Sequence, residues 1–317
     1  MKHIRVGVIG LGAIGERLIQ GFNANNKTIV TAVVDTNKER AAMMADKLGG
    51  INWYDHHKDM LENEKLDLVY VAVPPKYHHC VTLDVIEKGI HVLCEKPLAN
   101  SIEEAKEMKD KAEQAGIIHA MNFPLNYSSP VNTLDRLIKE GYIGDLRKLE
   151  LSMIFPNWPR QWQQNDWVAG REQGGFVLEV GVHFIQLTQR IFGSLSHLHS
   201  RLELPEDTIK CETGVIATLE LADRTPFLIN GMSQIAGDER ITYTAYGTKG
   251  TLSLVDWGRL EGGKLGEEIH PIESEKEETS TLIDQLALAI TGKESRLYTF
   301  TDGYEAQTIL EKLRNKE

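Results

Sequence analysis

The chain has 317 residues, of which 41% are hydrophobic and 26% charged, so it has the length of two globular domains. Its net charge of -11 repels phosphate backbones and anionic lipid, and no basic patch offsets it, so neither a nucleic-acid nor a membrane partner is predicted. The apolar N-terminus is shorter than the ~20 residues of a membrane span and lacks a signal-peptide pattern. Three widely spaced cysteines without metal-ligand spacing favour reduced thiols in the cytoplasm, and no metal is predicted.

Short apolar runs alternate with helical stretches over the first 122 residues. The predicted strands are Ile4–Ile9, Ile29–Val34, Leu66–Val73, Ile90–Cys94 and Ile117–Phe123. A helix that begins at a Ser101/Glu104 capping box and ends at Gly116 separates the last two. Continuous apolar strands alternating with helices indicate a doubly wound parallel sheet.

The pattern changes beyond Pro130, where strands follow one another directly. They are Leu146–Phe155, Leu198–Leu204, Thr213–Leu221, Phe227–Gln234, Ile241–Tyr246 and Thr251–Val255. Helices are predicted at Val131–Lys139, Val177–Phe192, Leu282–Ile290 and Tyr304–Leu313, and a loop at the acidic segment Glu273–Glu278. The fold class is therefore α/β: a doubly wound domain at 1–122, then an α/β domain at 123–317 built on an open, mainly antiparallel sheet. One alternative left open is that a C-terminal helix packs back on the first domain.

A glycine-rich turn follows the first strand and indicates a dinucleotide site. Gly10, Gly12, Ala13, Ile14 and Gly15 belong to a G-x-G-x-x-G pattern between a predicted strand and helix. Asp35 lies 20 residues past Gly15, at the end of the next strand, where a carboxylate can bind a ribose diol. The alternative is an ordinary tight turn. The acidic Asp35 favours NAD, while Lys38 and Arg40 nearby keep NADP possible.

Two further segments carry groups suited to chemistry. Lys96 follows a strand at the carboxyl edge of the predicted sheet, where ligands of such folds bind, although a surface lysine is an equal alternative. Glu179, His183 and Gln186 share one face of an otherwise apolar helix. Such a polar stripe either forms internal hydrogen bonds or faces a cleft.

These segments together resemble the glucose-fructose oxidoreductase and inositol dehydrogenase (Gfo/Idh/MocA) family over nearly the whole chain. The Glu95-Lys96-Pro97 signature is the most specific match. The others are the glycine turn with Asp35, the Pro74–His78 segment, the Gly174–His183 segment and Gly247–Leu252.

The resemblance implies a Rossmann domain and hydride exchange with a sugar, cyclitol or related alcohol. Lys96 and His183 would stand at the reacting carbon, the Lys96–Pro97 bond is often cis in the family, and Glu179 would orient the imidazole or bind a hydroxyl. The cofactor would meet the glycine turn and a second set of residues: Asp35, Thr36, Arg40, Pro74, His78, Glu95 and Lys96. For His78, the alternative is a residue that merely begins a helix.

The sequence departs from the family at Glu179, Gln186 and Asn126, where the family usually has Asp, a second Asp and Arg. The last two, together with Trp158 and Trp162, are candidate substrate residues, with core packing as the alternative for the tryptophans.

The predicted reaction is oxidation of a secondary alcohol, or its reversal, with nicotinamide. The alternatives are a redox-neutral lyase or glycosidase that uses transient oxidation, and a nicotinamide-binding sensor without turnover. The uncovered strands of the second domain predict a homo-oligomer, a dimer or tetramer.

Overall fold

The computed structural model describes residues 3–163, 165–274 and 280–314, so most of the acidic segment predicted as a loop lies outside the described residues. The chain divides into two compact units. The first comprises residues 1–122 and 280–307, and the second residues 123–279 and 308–317.

The first unit contains a six-stranded sheet in which every neighbouring pair is parallel. Its strands are β1 (Ile4–Ile9), β2 (Thr28–Val34), β3 (Asn52–Tyr54), β4 (Leu68–Val71), β5 (His91–Cys94) and β6 (His119–Met121). The order β3-β2-β1-β4-β5-β6 confirms the predicted doubly wound sheet. The prediction missed β3, which is an edge strand of three residues that lacks the apolar run of its neighbours.

Five helices connect these strands: α1 (Ala13–Ala24), α2 (Lys38–Lys47), α3 (His57–Asn63), α4 (His78–Glu87) and α5 (Ile102–Ala115). Ser101 caps α5 by accepting a hydrogen bond from the Glu104 N–H, and Gly116 ends the helix with φ +64°. The predicted capping box is wrong in one respect, because the Glu104 carboxylate accepts from the N–H of Asn100 rather than that of Ser101.

The second unit contains an eight-stranded sheet in the order β14-β13-β12-β11-β7-β10-β9-β8. Its strands are β7 (Leu146–Phe155), β8 (Leu195–Glu203), β9 (Gly214–Leu221), β10 (Pro226–Ser233), β11 (Arg240–Gly247), β12 (Gly250–Val255), β13 (Arg259–Lys264) and β14 (His270–Pro271). The pair β7 and β10 is parallel and the other pairs are antiparallel, which confirms the mainly antiparallel sheet.

Helix α6 (Ser129–Lys139) precedes this sheet, and α7 (Val182–Phe192) follows β7. Strand β7 alternates between buried apolar residues, such as Leu151 and Met153, and partly exposed polar ones, such as Glu150 and Ser152. One regular helix was predicted over Val177–Phe192, but its first turn, Val177–Gly181, is π-helical. Such widened turns occur frequently at functional sites.

The chain closes with α8 (Leu282–Ile290) and α9 (Phe300–Leu313). Thr281 and Asp284 form a reciprocal capping box at the start of α8. Among the residues that the structure describes, no helix is both long and apolar enough to cross a bilayer.

Candidate functional site

The glycine turn between β1 and α1 leaves one side of the backbone open. Gly10 has φ +96°, and a Cβ there would lie 2.5 Å from the Ala72 carbonyl oxygen. A Cβ on Gly15 would collide with the carbonyl of Gly10, whereas one on Gly12 would meet nothing within 4 Å. Gly10 and Gly15 are thus required by the packing of the turn itself. Gly12 instead borders empty space, as expected where a backbone must approach a pyrophosphate.

The start of α1 adds a favourable field at this turn. Gly12 caps the helix without a side chain, and its carbonyl accepts from the N–H of Glu16. The first N–H groups of a helix have no intrahelical acceptor and carry the positive end of the helix dipole. The turn therefore fits a dinucleotide pyrophosphate.

Asp35 lies at the end of β2, and its side chain is already fixed by three donors. One carboxylate oxygen accepts from the Leu11 N–H at 3.0 Å and from Arg40 Nη1 at 3.3 Å, and the other accepts from the Asn37 N–H at 2.9 Å. The bond to Leu11 joins the carboxylate to the glycine turn. The Arg40 side chain is 52% exposed, so a cation borders the predicted ribose site. Thr36, beside it, is exposed.

Glu95 and Lys96 directly follow β5 and differ in their exposure to solvent. Glu95 is buried and accepts hydrogen bonds from the Tyr70 hydroxyl and the Asn122 amide. Burial raises the pKa of Glu95, and the Asn122 bond and the Lys96 charge oppose that rise. Lys96 is partly exposed, and its bond to Pro97 is cis. The carboxylate of Glu95 therefore serves the interior of the first unit, and its contact with cofactor remains a prediction.

His78 is buried between two backbone carbonyls. Its Nδ1 lies 2.8 Å from the Pro97 oxygen and its Nε2 lies 2.8 Å from the Val73 oxygen. Burial lowers the pKa of His78 to about 4, with a smaller contribution from the Lys96 charge. The ring is therefore neutral at pH 7 and donates its single N–H to one of these two carbonyls, after the ends of β4 and β5. The other ring nitrogen faces the second carbonyl, so the geometry does not support a polar contact of His78 with cofactor. The partly exposed Pro74 lies beside it.

In the second unit, the start of the helix that carries Glu179 and His183 is held by a carboxylate. Glu212 is buried, and it accepts from the Val177 N–H at 2.8 Å. A Cβ on Gly175, which has φ +100°, would collide with this carboxylate. Burial raises the pKa of Glu212, and the Val177 bond lowers it. The second glycine of the Gly-Gly pair is thus required by Glu212.

Glu179 and His183 are both buried. Glu179 accepts from the Gln163 amide at 3.5 Å. The His183 ring lies between two aromatic rings, edge to face, with centroids 6.0 Å from Phe123 and 5.4 Å from Trp257. The imidazole thus packs against two aromatic rings of its own unit.

Asn126 and Gln186, two predicted substrate residues, bind each other. The Asn126 amide donates to Gln186 Oε1 at 2.6 Å, and Arg190 donates to Asn126 Oδ1 at 3.0 Å. Arg190 also pairs with Asp135 at 2.9 Å. Because Asn126 and Gln186 are 1% and 2% exposed, this network supports a role inside the second unit more than direct contact with substrate.

The two predicted tryptophans differ in their surroundings. Trp158 donates its indole N–H to the Val168 carbonyl and packs on Phe155 and Phe176 with centroids 5.0 and 6.0 Å apart. The structure therefore favours the packing alternative for Trp158. Trp162 lies on a short 3-10 helix, Gln161–Gln163, and is 58% exposed.

Comparison with known proteins assigns both units to one family. Residues 4–123 match the model of the oxidoreductase family with an NAD-binding Rossmann fold, and residues 131–253 match the Gfo/Idh/MocA C-terminal domain. The chain belongs to the Gfo/Idh/MocA family. The predicted resemblance is thereby confirmed.

Individual Gfo/Idh/MocA relatives are named for different reactions. The chain is 30% identical, over 66% of its length, to dTDP-3,4-didehydro-2,6-dideoxy-alpha-D-glucose 3-reductase of Streptomyces violaceoruber, covering 60% of that protein. It is also 30% identical, over 61% of its length, to 2,7-anhydro-N-acetylneuraminate hydratase of Escherichia coli K12, covering 50% of that protein. The chain thus spans between half and two thirds of these curated relatives.

The fold extends over the whole length of a solved Gfo/Idh/MocA structure. A 3-ketoreductase from Actinomadura kijaniata, solved with NADP and TDP-benzene, superposes with a TM-score of 0.86. The match covers 99% of this chain and 98% of that one at 22% sequence identity. It establishes the shared fold.

Sequence reasoning missed four residues that organise the second unit of this Gfo/Idh/MocA protein: Gln163, Arg190, Glu212 and Trp257. None of them stands in a recognisable motif, and each makes a contact with a residue at least 16 positions away in sequence. A signal did exist for Trp257, because Asp256-Trp257-Gly258 separates two strands and so places a large aromatic side chain in a tight turn.

Proposed function

We propose that this protein is a nicotinamide-dependent oxidoreductase that interconverts a secondary alcohol and a ketone on a sugar, cyclitol or related small molecule. The observation that carries the proposal is the open space at Gly12, between two glycines whose packing leaves no room for a side chain. That space at the start of α1 fits the pyrophosphate of NAD or NADP. The family membership supports the same reaction class.

The residues of this chain that would hold the cofactor are the glycine turn and Asp35, with Arg40 beside them. Bound nicotinamide supplies the hydride acceptor, or the hydride donor in the reverse direction. Asp35 accepts hydrogen bonds from a ribose diol but repels a 2'-phosphate, so NAD binds more tightly than NADP in this proposal.

The chemical step is assigned to Lys96 and His183. During oxidation, His183 would accept the proton of the hydroxyl on the reacting carbon, and bound nicotinamide would supply the acceptor for the hydride of that carbon. The ammonium of Lys96 stabilises the negative charge that develops on the oxygen. Glu179 acts as a positioning group or binds a neighbouring hydroxyl. In reduction, the same proton returns from His183 to the carbonyl oxygen.

The experiment is a turnover assay of sugars, cyclitols and their keto forms with NAD and NADP, following nicotinamide absorbance. The proposal expects net formation or consumption of reduced nicotinamide with at least one of these compounds. Failure of every compound, in both directions and with both cofactors, would contradict it.

A redox-neutral reaction is the second candidate, and the hydratase among the relatives favours it. Transient oxidation of the substrate would permit elimination, after which the hydride returns to the same substrate. Product formation without any net change in nicotinamide absorbance would distinguish this reaction from the first.

We further propose that the protein is a homo-oligomer, formed through the outer face of the eight-stranded sheet, and that it works in a reducing compartment. Ile216 and Met232, on neighbouring strands β9 and β10, are 65% and 42% exposed, and Ile154 is paired with Met232. Exposed apolar side chains on neighbouring strands favour a partner. Cys80, Cys94 and Cys211 are free thiols, in keeping with such a compartment.

Light scattering of the wild type should therefore give a dimer or tetramer, and Ile216→Lys should shift it towards monomer by placing a charge on that face. Met43→Lys, which places the same charge at an exposed apolar residue of α2 in the first unit, is the matched control. A wild-type monomer at micromolar concentration would contradict the oligomer.

A further inference from the structure

The turn between β12 and β13 holds an aromatic residue in an unfavourable backbone conformation. Asp256 and Trp257 have φ +48° and +69°, and the Gly258 N–H donates to the Val255 carbonyl at 3.3 Å. A hairpin turn with two central residues of positive φ strongly prefers Asn-Gly or Asp-Gly, because glycine alone adopts this region without steric cost. The chain has Asp-Trp, with the glycine one position later.

The conformation is fixed from outside the turn. The Asp256 N–H donates to the Ile241 carbonyl at 2.8 Å, and the Asp256 carboxylate accepts from the Ile241 N–H at 3.1 Å. These two bonds attach the turn to β11. They hold the backbone in place but give no reason for an indole at the next position, where glycine would be easier to accommodate.

The indole itself packs beside His183. Its ring centroid lies 5.4 Å from that of His183 at an interplanar angle of 86°, and 5.2 Å from that of Phe184 at 36°. His183 is 9% exposed, whereas Trp257 is partly exposed. A large side chain at positive φ that contacts a proposed proton acceptor is the type of outlier from which a functional role is inferred.

We propose that Trp257 is a specificity-determining residue, an aromatic platform beside His183 on which the saturated ring of the substrate stacks through its C–H face. The inference rests on the proposed function and names its substrate class: cyclic polyols, that is pyranoses and cyclitols, in preference to open-chain polyols. An indole offers a rigid apolar face with few rotamers, which suits a flat ring with hydroxyl groups at its edge. An open-chain polyol has no such face to present.

The test compares Trp257→Gly and Trp257→Phe with the wild type. Glycine removes the ring and also removes the steric cost of the positive φ, whereas phenylalanine keeps a ring and the cost. Trp53→Leu is the matched control, because Trp53 is 42% exposed on β3 of the first unit. Circular dichroism and Tm verify the folding of each variant.

The probes are D-glucose and myo-inositol as cyclic polyols and sorbitol as an open-chain polyol, each titrated onto NAD-loaded protein and followed by calorimetry and by turnover. We expect Trp257→Gly to raise the KM and the Kd for the better cyclic probe about tenfold or more, with a smaller change in kcat, because stacking is present before and during the reaction. Trp257→Phe should stay within about threefold of wild type, and Trp53→Leu should not differ.

Three results would overturn the proposed platform. The first is an unchanged KM and Kd in Trp257→Gly, and the second is a loss of affinity in Trp257→Phe equal to that in Trp257→Gly. The third is a wild-type preference for sorbitol. Absence of turnover and binding with all three probes in the wild type would overturn it too. If the wild type binds a cyclic probe without turnover, calorimetry of the variants still decides the platform. Turnover of the wider panel decides the proposed function separately, since an active wild type with an unaffected Trp257→Gly leaves the oxidoreductase intact.

Discussion

The glycine turn of the first unit and the His183 helix of the second place their functional groups in different ways. In the turn, the site consists of backbone N–H groups and the open space beside Gly12. The nearest side chain, Asp35, is fixed by the N–H groups of Leu11 in the turn and of Asn37 two residues later. On the His183 helix, side chains from several segments converge: Phe123 and Trp257 contact His183, and Gln163 binds Glu179. A backbone site is encoded locally, whereas a side-chain site is encoded by the fold.

The largest expected effect tests whether both regions serve one reaction. Lys96→Ala and His183→Ala should each lower turnover by ~100-fold or more, because each removes a charge-stabilising or proton-accepting group. Calorimetry should find cofactor affinity nearly unchanged in both. Lys106→Ala and His199→Ala, at exposed positions of the two units, are the controls. Near-wild-type turnover in either folded site variant would remove that residue from the mechanism.

The next effect is on acid stability and concerns the first unit. The pKa of His78 is about 4 in the folded protein against 6.5 for an unperturbed histidine. Between these values the unfolded chain binds a proton that the folded chain does not, so stability present above pH 6.5 is lost as the pH falls towards 4. At about 1.4 kcal/mol per pH unit, the loss is roughly 3 kcal/mol.

His78→Gln should therefore show a smaller fall in Tm between pH 7 and pH 4.5 than the wild type. His199→Gln, which changes an exposed histidine, should follow the wild-type curve. Parallel curves for His78→Gln and the wild type would show that His78 is not the neutral buried group described above.

The smallest expected effect concerns the preference for NAD or NADP at the glycine turn. Arg40 shares an oxygen of Asp35 with the Leu11 N–H and is half-exposed, so it can pair with a 2'-phosphate. Arg40→Ala should weaken NADP binding about tenfold and change NAD binding less than threefold. Calorimetry with both cofactors measures this, and Lys88→Ala, at an exposed position after α4 in the same unit, is the control. Wild-type NADP affinity equal to or above that for NAD would contradict the role given to Asp35.

The two regions also differ in how far the sequence could predict them. The order of β1, glycine turn and α1 follows from a short apolar run and a glycine motif, so the sequence pattern alone was sufficient to predict it. The structure gives the reason, because neither Gly10 nor Gly15 leaves space for a Cβ atom. The parallel sheet followed from continuous apolar runs. These features depend on residues that are close together in sequence.

The second unit was predicted in outline only. Strands β7 to β12 were recognised as strand-like runs without long helices between most of them, and β13 and β14 were missed. The π-helical turn at Val177–Gly181 and the Asn126–Gln186 bond depend on contacts across the fold. Asn126 and Gln186 were predicted to meet substrate because they are polar residues where the family usually has Arg and a second Asp. In the structure they bind each other, and Asn126 also binds Arg190, which is 64 residues away. No periodicity or motif contains that information.

The most direct test of the central claim is hydride transfer itself, whether or not the reaction is redox-neutral overall. The protein is incubated with keto sugars and keto cyclitols and with NADH or NADPH that carries deuterium at C4 of the nicotinamide ring. The products are examined by mass spectrometry and NMR. The account predicts deuterium on the carbinol carbon of at least one product, and none with Lys96→Ala or His183→Ala over the same time. Wild-type protein that binds the labelled cofactor yet leaves every product free of deuterium would contradict it.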